Sequence, residues 1–228
     1  MHARGAFRMQ LKKVSDSGII LATLISRYNN LSSSEPSIRE AISMLESCFR
    51  FGGKLLVCGN GGSAADSEHI VGELMKSFRF KREVTKDFRR KYRCLFGEEA
   101  PSYLEGALPA ISLVSHTALS TAFGNDEAPI GIFAQQVYGY GKPGDVFLGI
   151  STSGNSTNVV EAAKVAKTLD MRVLTLTGAN ESKLSKLSDV AIKVPEKETF
   201  KVQELHLPVY HALCAAVEAS FFEGNEHA

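Results

Sequence analysis

No run of apolar residues in this 228-residue chain is long enough to span a bilayer as a helix, so the reading begins from a soluble protein. Cysteine is sparse and scattered. Cys48, Cys58, Cys94 and Cys214 form no C-x-x-C pair, so neither a disulfide framework nor a thiolate zinc site is indicated, and a reducing cytoplasm is the expected compartment. Net charge is nearly absent as well: 26 Lys and Arg against 25 Asp and Glu leave +1, with a pI near 7.7. That balance gives no global pull toward nucleic acid or acidic membrane. Near the N-terminus, Arg4, Arg8, Lys12 and Lys13 precede an apolar run over 18–25, but no small-residue cleavage site follows it. A helix is expected there instead of a signal peptide. What the chain does have is 44% hydrophobic residues, enough for a proper core and most simply one domain over 1–228.

The sequence is organised around residues 54–78, KLLVCGNGGSAADSEHIVGELMKSF. Leu55, Leu56 and Val57 read as a buried strand, and Gly59-Asn60-Gly61-Gly62-Ser63 breaks it with residues that permit tight turns and close backbone approach. A helix is expected next. A strand, a glycine-rich turn and a helix start together make an anion site, because free backbone N–H groups and the positive end of the helix dipole face the turn. Within that helix His69 and Glu73 are four residues apart and share one face, a pair able to bind a metal or move a proton.

The flanking pattern alternates strand and helix. Ser33-Ser34-Glu35-Pro36 opens a helix with a capping serine and an early proline, and Ile38, Ala41, Ile42, Leu45 and Phe49 recur at helical spacing until Gly52-Gly53. The two N-terminal helices are expected on the sheet or on another subunit. Strands are expected at 108–114, 145–150, 173–177 and 190–194. Helices are expected at 117–123, 133–138, 159–169 and 201–222, with a helical turn at 183–187 and a chain turn at Gly124-Asn125-Asp126. Such alternation implies a doubly wound parallel sheet with right-handed crossovers and helices on both faces, whose ligands bind beyond the strands' carboxyl ends. After the strand at 145–150, Ser151-Thr152-Ser153-Gly154-Asn155-Ser156 forms a second strand-to-helix turn. Three serines and a threonine exceed what capping requires and supply donors for phosphate oxygens. In the last helix Gln203, Glu204, His206 and His211 are polar among apolar neighbours, and Pro208 forfeits a backbone hydrogen bond.

Residues 76–107 differ in character, interleaving Lys76, Arg79, Lys81, Arg82, Lys86, Arg89, Arg90, Lys91 and Arg93 with Phe78, Phe80, Phe88 and Tyr92. Such a mixture can bind nucleic acid or phosphate. The favoured reading is a solvated surface excursion with its aromatics tucked beneath it.

Four motifs in order, GNGGSAADSEHIVGEL, Asn125-Asp126, STSGNSTNVV and QELHLPVYH, make the chain resemble the phosphoheptose isomerase (sedoheptulose 7-phosphate isomerase) group of the sugar-isomerase, or SIS, fold. The resemblance implies a three-layer α/β SIS fold. It also implies an aldose-ketose isomerase acting through an enediol(ate), with Glu73 as base and His211 as second acid/base. By the same resemblance Asn60, Gly61, Gly62 and Ser63 match the first substrate loop, Ser151, Thr152, Ser153 and Ser156 the phosphate clamp, and Asn125 and Asp126 the sugar-contacting pair. His69, Glu73, Gln203 and His211 match a zinc site, which implies one zinc per subunit, and family members are homotetramers with active sites at subunit interfaces. The segment between Glu73 and Asn125 is longer than in compact members, which leaves the sugar less fixed than the reaction type.

Three rivals remain at this level. Gly59, Gly61 and Ala64 satisfy a loosened dinucleotide fingerprint, but no acidic residue follows at the end of a second strand. A non-catalytic SIS protein resembling the replication initiator-associating factor is set against the presence of both Glu73 and His211. An isomerase for another sugar phosphate is the third.

Overall fold

The structure, a computed structural model, describes residues 16–222. Arg4, Arg8, Lys12 and Lys13 lie outside the described residues. Five strands, β1 (Leu55–Cys58), β2 (Ala110–Ser112), β3 (Val146–Ser151), β4 (Arg172–Thr177) and β5 (Val190–Lys193), form one parallel sheet in the order β2-β1-β3-β4-β5. The helices are α1 (Asp16–Arg27), α2 (Glu35–Arg50), α3 (Gly62–Met75), α4 (Lys86–Phe96), α5 (Thr117–Asp126), α6 (Ile132–Tyr140), α7 (Thr157–Thr168), α8 (Lys183–Leu187) and α9 (Thr199–Phe222).

β1 and β3 are buried at every position, as strands of a parallel sheet covered on both faces must be. Alternate side chains serve different cores. Leu55, Val57, Leu148 and Ile150 pack with residues of α1, α2, α3 and α9, whereas Leu56, Cys58 and Phe147 pack with residues of α6, α7 and α8. The α/β three-layer reading therefore holds. The chain leaves β1 for β2 on one side and returns to β3 on the other, so the order reverses between β1 and β3. The turns after these two strands face each other across that switch point, where ligands of such sheets bind.

Asp145 pins the opposite end of the β1–β3 pair. Its nearly buried carboxylate accepts from the Lys54 and Lys142 backbone N–H groups at 2.9 Å each and from Lys54 Nζ at 2.6 Å. Asp145→Ala leaves three donors without their acceptor. The expected loss is about 3 kcal/mol, read from urea unfolding, while Asp145→Asn loses less.

Several boundaries differ from the sequence reading for identifiable reasons. β2 covers three residues, though the Leu113 N–H still reaches the Val57 carbonyl at 2.9 Å. The helix expected to stop at 123 continues to Asp126, so Asn125 and Asp126 form its last turn. Ser34 stands at the start of α2 without capping it, because its hydroxyl donates to the Lys193 carbonyl at 2.6 Å and ties α2 to β5. Pro208 lies inside α9, which runs unbroken through it.

The excursion at 76–107 holds an additional helix, α4, capped by the Thr85 hydroxyl and closed by Gly97 in the left-handed region. The expectation that the excursion's aromatics tuck underneath holds for Phe78, which packs on the core, and fails for those of α4. None of the α4 residues is buried; Phe88, Tyr92 and Phe96 stack on one another, with centroids 6.0 and 4.8 Å apart, and do not enter the core. Four of the helix's five basic side chains pair locally, Arg89 with Glu83, Arg90 and Lys91 with the one carboxylate of Asp87, and Arg93 with Glu99.

On the core side of α9, His206 is fully buried, and burial pushes its pKa down to about 4 against a smaller opposing effect of the Thr177 backbone. The unfolded chain, with an ordinary histidine pKa near 6.5, takes up this proton first as pH falls. Stability is therefore intact above pH 6.5 and declines as pH drops toward 4, by about 3 kcal/mol in total from this residue. His206→Leu is expected to flatten that part of the stability–pH curve in urea titrations.

Candidate active site

α3 and α9 run side by side in the same direction. Gly62 at the start of α3 packs on Gln203 near the start of α9, where a Cβ on Gly62 would stand 2.6 Å from the glutamine Nε2. One to three turns further on, Asp66, His69 and Glu73 from α3 meet Tyr210 and His211 from α9. His69 Nε2 lies 3.1 Å from Glu73 Oε1, and His69 Nδ1 lies 3.0 Å from the Tyr210 hydroxyl. The His69 and His211 rings meet edge to face with centroids 5.0 Å apart. The α3 residues are spaced four, three and four apart, which places them on one stripe. Gln203, Tyr210 and His211 recur in the same way on α9.

The cluster is graded from dry to wet. Glu73 keeps 13% of its side-chain surface and His69 43%, so the pair lies at the edge of solvent. Burial pushes the His211 pKa down, helped by nearby His69 and opposed by Glu73. Asp66 is raised by burial against its hydrogen bond to Tyr210, and the Tyr210 phenol is raised by burial and by the Asp66 charge. Glu73 Oε2 and His211 Nε2 are buried without a hydrogen-bond partner. Orphaned acceptors in a polar cluster mark a place built for something besides the protein.

The two turns border this cluster. Gly61 has φ 58° and ψ −121°, a conformation that a side chain resists, and Ser63 is buried behind it. Asn60 exchanges two hydrogen bonds of 2.9 Å with Asn158 at the start of α7, joining the glycine turn to the serine turn. In the serine turn, the Ser151 and Ser156 hydroxyls lie 2.9 Å apart, Gly154 has φ 64°, and Ser153 is exposed while Thr152 is half-buried. Asn125 donates to Asp126 at 2.8 Å at the exposed end of α5, and among the described residues no hydrogen bond joins this pair to the α3–α9 cluster.

Glu204 is exposed and His206 faces the core, so neither belongs to the cluster. Asp66, Tyr210 and Asn158 were not singled out from sequence. Their signals were present: Asp66 precedes His69 by three residues, and Tyr210 directly precedes His211.

For a metal, the donors are two imidazoles, a carboxylate and the Gln203 amide oxygen, a mixed nitrogen and oxygen set compatible with zinc. Among the described residues no three His, Cys, Asp or Glu side chains already converge as a metal-holding group. Glu73 Oε2, which has no hydrogen bond and only Lys76 Nζ at 3.6 Å beside it, and His211 Nε2, which has no hydrogen bond, nevertheless fit such an ion in kind.

This sheet order and this pair of turns define a doubly wound α/β protein with anion-type turns at its switch point, and the chain belongs to the SIS domain family, whose profile matches residues 22–89 and 104–178. The match breaks at 90–103, inside the excursion that carries α4. Within that family it groups with the phosphoheptose isomerases, which are sugar-phosphate isomerases. It is 38% identical over 183 residues to the phosphoheptose isomerase of Rhodospirillum rubrum, covering 80% of this chain and 85% of that one. It is 40% identical over 190 residues to that of Helicobacter hepaticus, covering 83% and 85%. The solved phosphoheptose isomerase GmhA from Neisseria gonorrhoeae superposes with a TM-score of 0.67 at 32% identity, covering 90% of this chain and all of that one. The Francisella tularensis phosphoheptose isomerase gives 0.69 at 29% identity, covering 89% and 95%.

Among the described residues no helix is long and apolar enough to cross a membrane.

Proposed function

We propose that the chain interconverts sedoheptulose 7-phosphate and D-glycero-D-manno-heptose 7-phosphate through an enediol(ate). The observation that carries this reading is the meeting of Glu73, His69 and His211 beside two anion-type turns at the switch point of the sheet. The phosphate is held by Ser151, Thr152, Ser153 and Ser156 and by the positive end of α7. Asn60, Gly61, Gly62, Ser63, Asn125, Asp126 and Gln203 hold the sugar hydroxyls. Glu73 takes a proton from C1 of the ketose while O2 gains one, leaving a C1–C2 double bond with a hydroxyl on each carbon. Glu73 then returns a proton to C2 as O1 loses its own, which completes the aldose. His211, whose depressed pKa keeps it neutral near pH 7, carries the proton to and from oxygen and assists ring opening.

His69, Glu73, Gln203 and His211 would hold a zinc ion, one per subunit, which when bound supplies a Lewis acid for the substrate oxygens. In this reading the assembly is a homotetramer with sites at subunit interfaces. The solvent-edge position of His69 supports a partner completing the wall, and sedimentation analysis tests it. Four of the five cations of α4 are engaged in local ion pairs, and the Glu73–His211 pair of an acid/base enzyme is present, which together weigh against a purely nucleic-acid-associated binding role. A panel of five-, six- and seven-carbon ketose phosphates tests the substrate. The heptulose is expected to give the highest kcat/KM, and a shorter sugar preferred by tenfold or more, which is about 1.4 kcal/mol, overturns that choice.

A further inference from the structure

We propose that Arg82 and Glu218 form a buried clamp that positions Glu73 and His211 for proton transfer; the proposal rests on the acid/base reading of those two residues. Arg82 and Glu218 have no exposed side-chain surface, and Arg82 Nε donates to Glu218 Oε1 at 2.8 Å. The guanidinium's other two nitrogens donate to the last carbonyls of α3: Nη2 to Glu73 O at 2.8 Å and Nη1 to Leu74 O at 2.6 Å. A planar fork of fixed geometry therefore holds the backbone of the base itself, at a helix end where the Leu74 carbonyl also accepts from the Leu108 N–H at 3.0 Å.

The carboxylate end of the clamp acts on the second proton carrier. Glu218 accepts from the Phe78 and Arg79 backbone N–H groups at 2.8 Å each, and this fixes Phe78, whose ring lies 5.7 Å from that of His211. Glu218 also sits seven residues beyond His211 on α9, on the same side of the helix. The clamp is the root of the α4 excursion. The Ser77 N–H and hydroxyl donate to Glu105 at 2.8 and 2.7 Å, and the Gly106 N–H reaches the Arg82 carbonyl at 3.1 Å, closing the excursion's two ends together. The stretch 90–103, where the family profile does not match, lies beyond this closure. Simple fold maintenance would not require that the fork end on the Glu73 carbonyl.

The test uses Glu218→Gln and Arg82→Lys in the full chain, with Arg82→Met/Glu218→Leu as a third protein in which neither charge is left buried without its partner. Circular dichroism establishes folding. In each folded variant kcat is expected to fall about 10- to 100-fold with KM within about threefold, because misplacing a reacting group by an ångström costs on that scale without weakening ground-state binding. Amide hydrogen exchange over 73–82 is expected to quicken while β1 and β3 stay protected. A folded variant with kcat within about twofold of the parent and unchanged exchange over 73–82 overturns the clamp. If the parent isomerises no sugar phosphate, the acid/base reading fails by itself. Exchange then decides the clamp alone, with unchanged protection overturning it. If neither single variant folds, the double variant is judged by the same two criteria.

Discussion

Glu73→Gln is expected to reduce kcat by about 10²–10⁴-fold, the usual contribution of a positioned general base, while sugar phosphate still binds. Glutamine keeps the shape and the partner side of the residue but cannot take a proton from carbon. Glu73 is well suited to expose that distinction. Its Oε1 is occupied by His69 at 3.1 Å, whereas its Oε2 is buried with no hydrogen-bond partner and only the mostly exposed Lys76 Nζ at 3.6 Å as an ion pair, so the substitution removes the charge and little packing. KM is expected to stay within a few-fold, since the phosphate and hydroxyl contacts are untouched. Steady-state kinetics together with binding calorimetry separate the two. A variant that loses binding as severely as turnover would make Glu73 a substrate-holding group and not the base.

The second large effect concerns the serine turn. Ser151→Ala/Ser156→Ala is expected to lower kcat/KM by about 10²–10⁴-fold, chiefly through KM, because hydrogen bonds to a charged phosphate contribute about 1.5–3 kcal/mol each. Folding should change little. The two hydroxyls bond each other at 2.9 Å in the unliganded chain, and removing both partners of one hydrogen bond strands neither. Inorganic phosphate competition gives a direct check, since the double variant is expected to lose inhibition by phosphate along with substrate affinity. Unchanged KM would move the phosphate elsewhere.

These expectations could be framed from sequence because the relevant signals are local. A strand ending in Gly59-Asn60-Gly61-Gly62 leaves few backbone choices, and the four-residue spacing of His69 and Glu73 already fixes a shared face. The strand-helix alternation implied the parallel sheet, and the structure has it. What sequence could not supply is pairing across long separations. Arg82 and Glu218 lie 136 residues apart, and Arg82 looked like one more cation in a basic stretch although it is fully buried. Asn60 and Asn158 meet only because β1 and β3 are neighbours in the sheet. α4 was hidden for a different reason. Its aromatics do not pack on the core, so the periodicity that marks a buried face had no core to refer to, and its caps Thr85 and Gly97 were the only strong cues.

The most direct test of the central claim is NMR of the reaction in heavy water, starting from sedoheptulose 7-phosphate. An enediol formed by Glu73 at the solvent edge exchanges its proton, so deuterium should appear at C2 of the aldose product and return to C1 of recovered ketose. Both signals should vanish in Glu73→Gln. Product formed at full rate with no deuterium at C2 in both the parent and Glu73→Gln would mean that hydrogen moves directly between the two carbons, and the proton-transfer role assigned to Glu73 would be wrong.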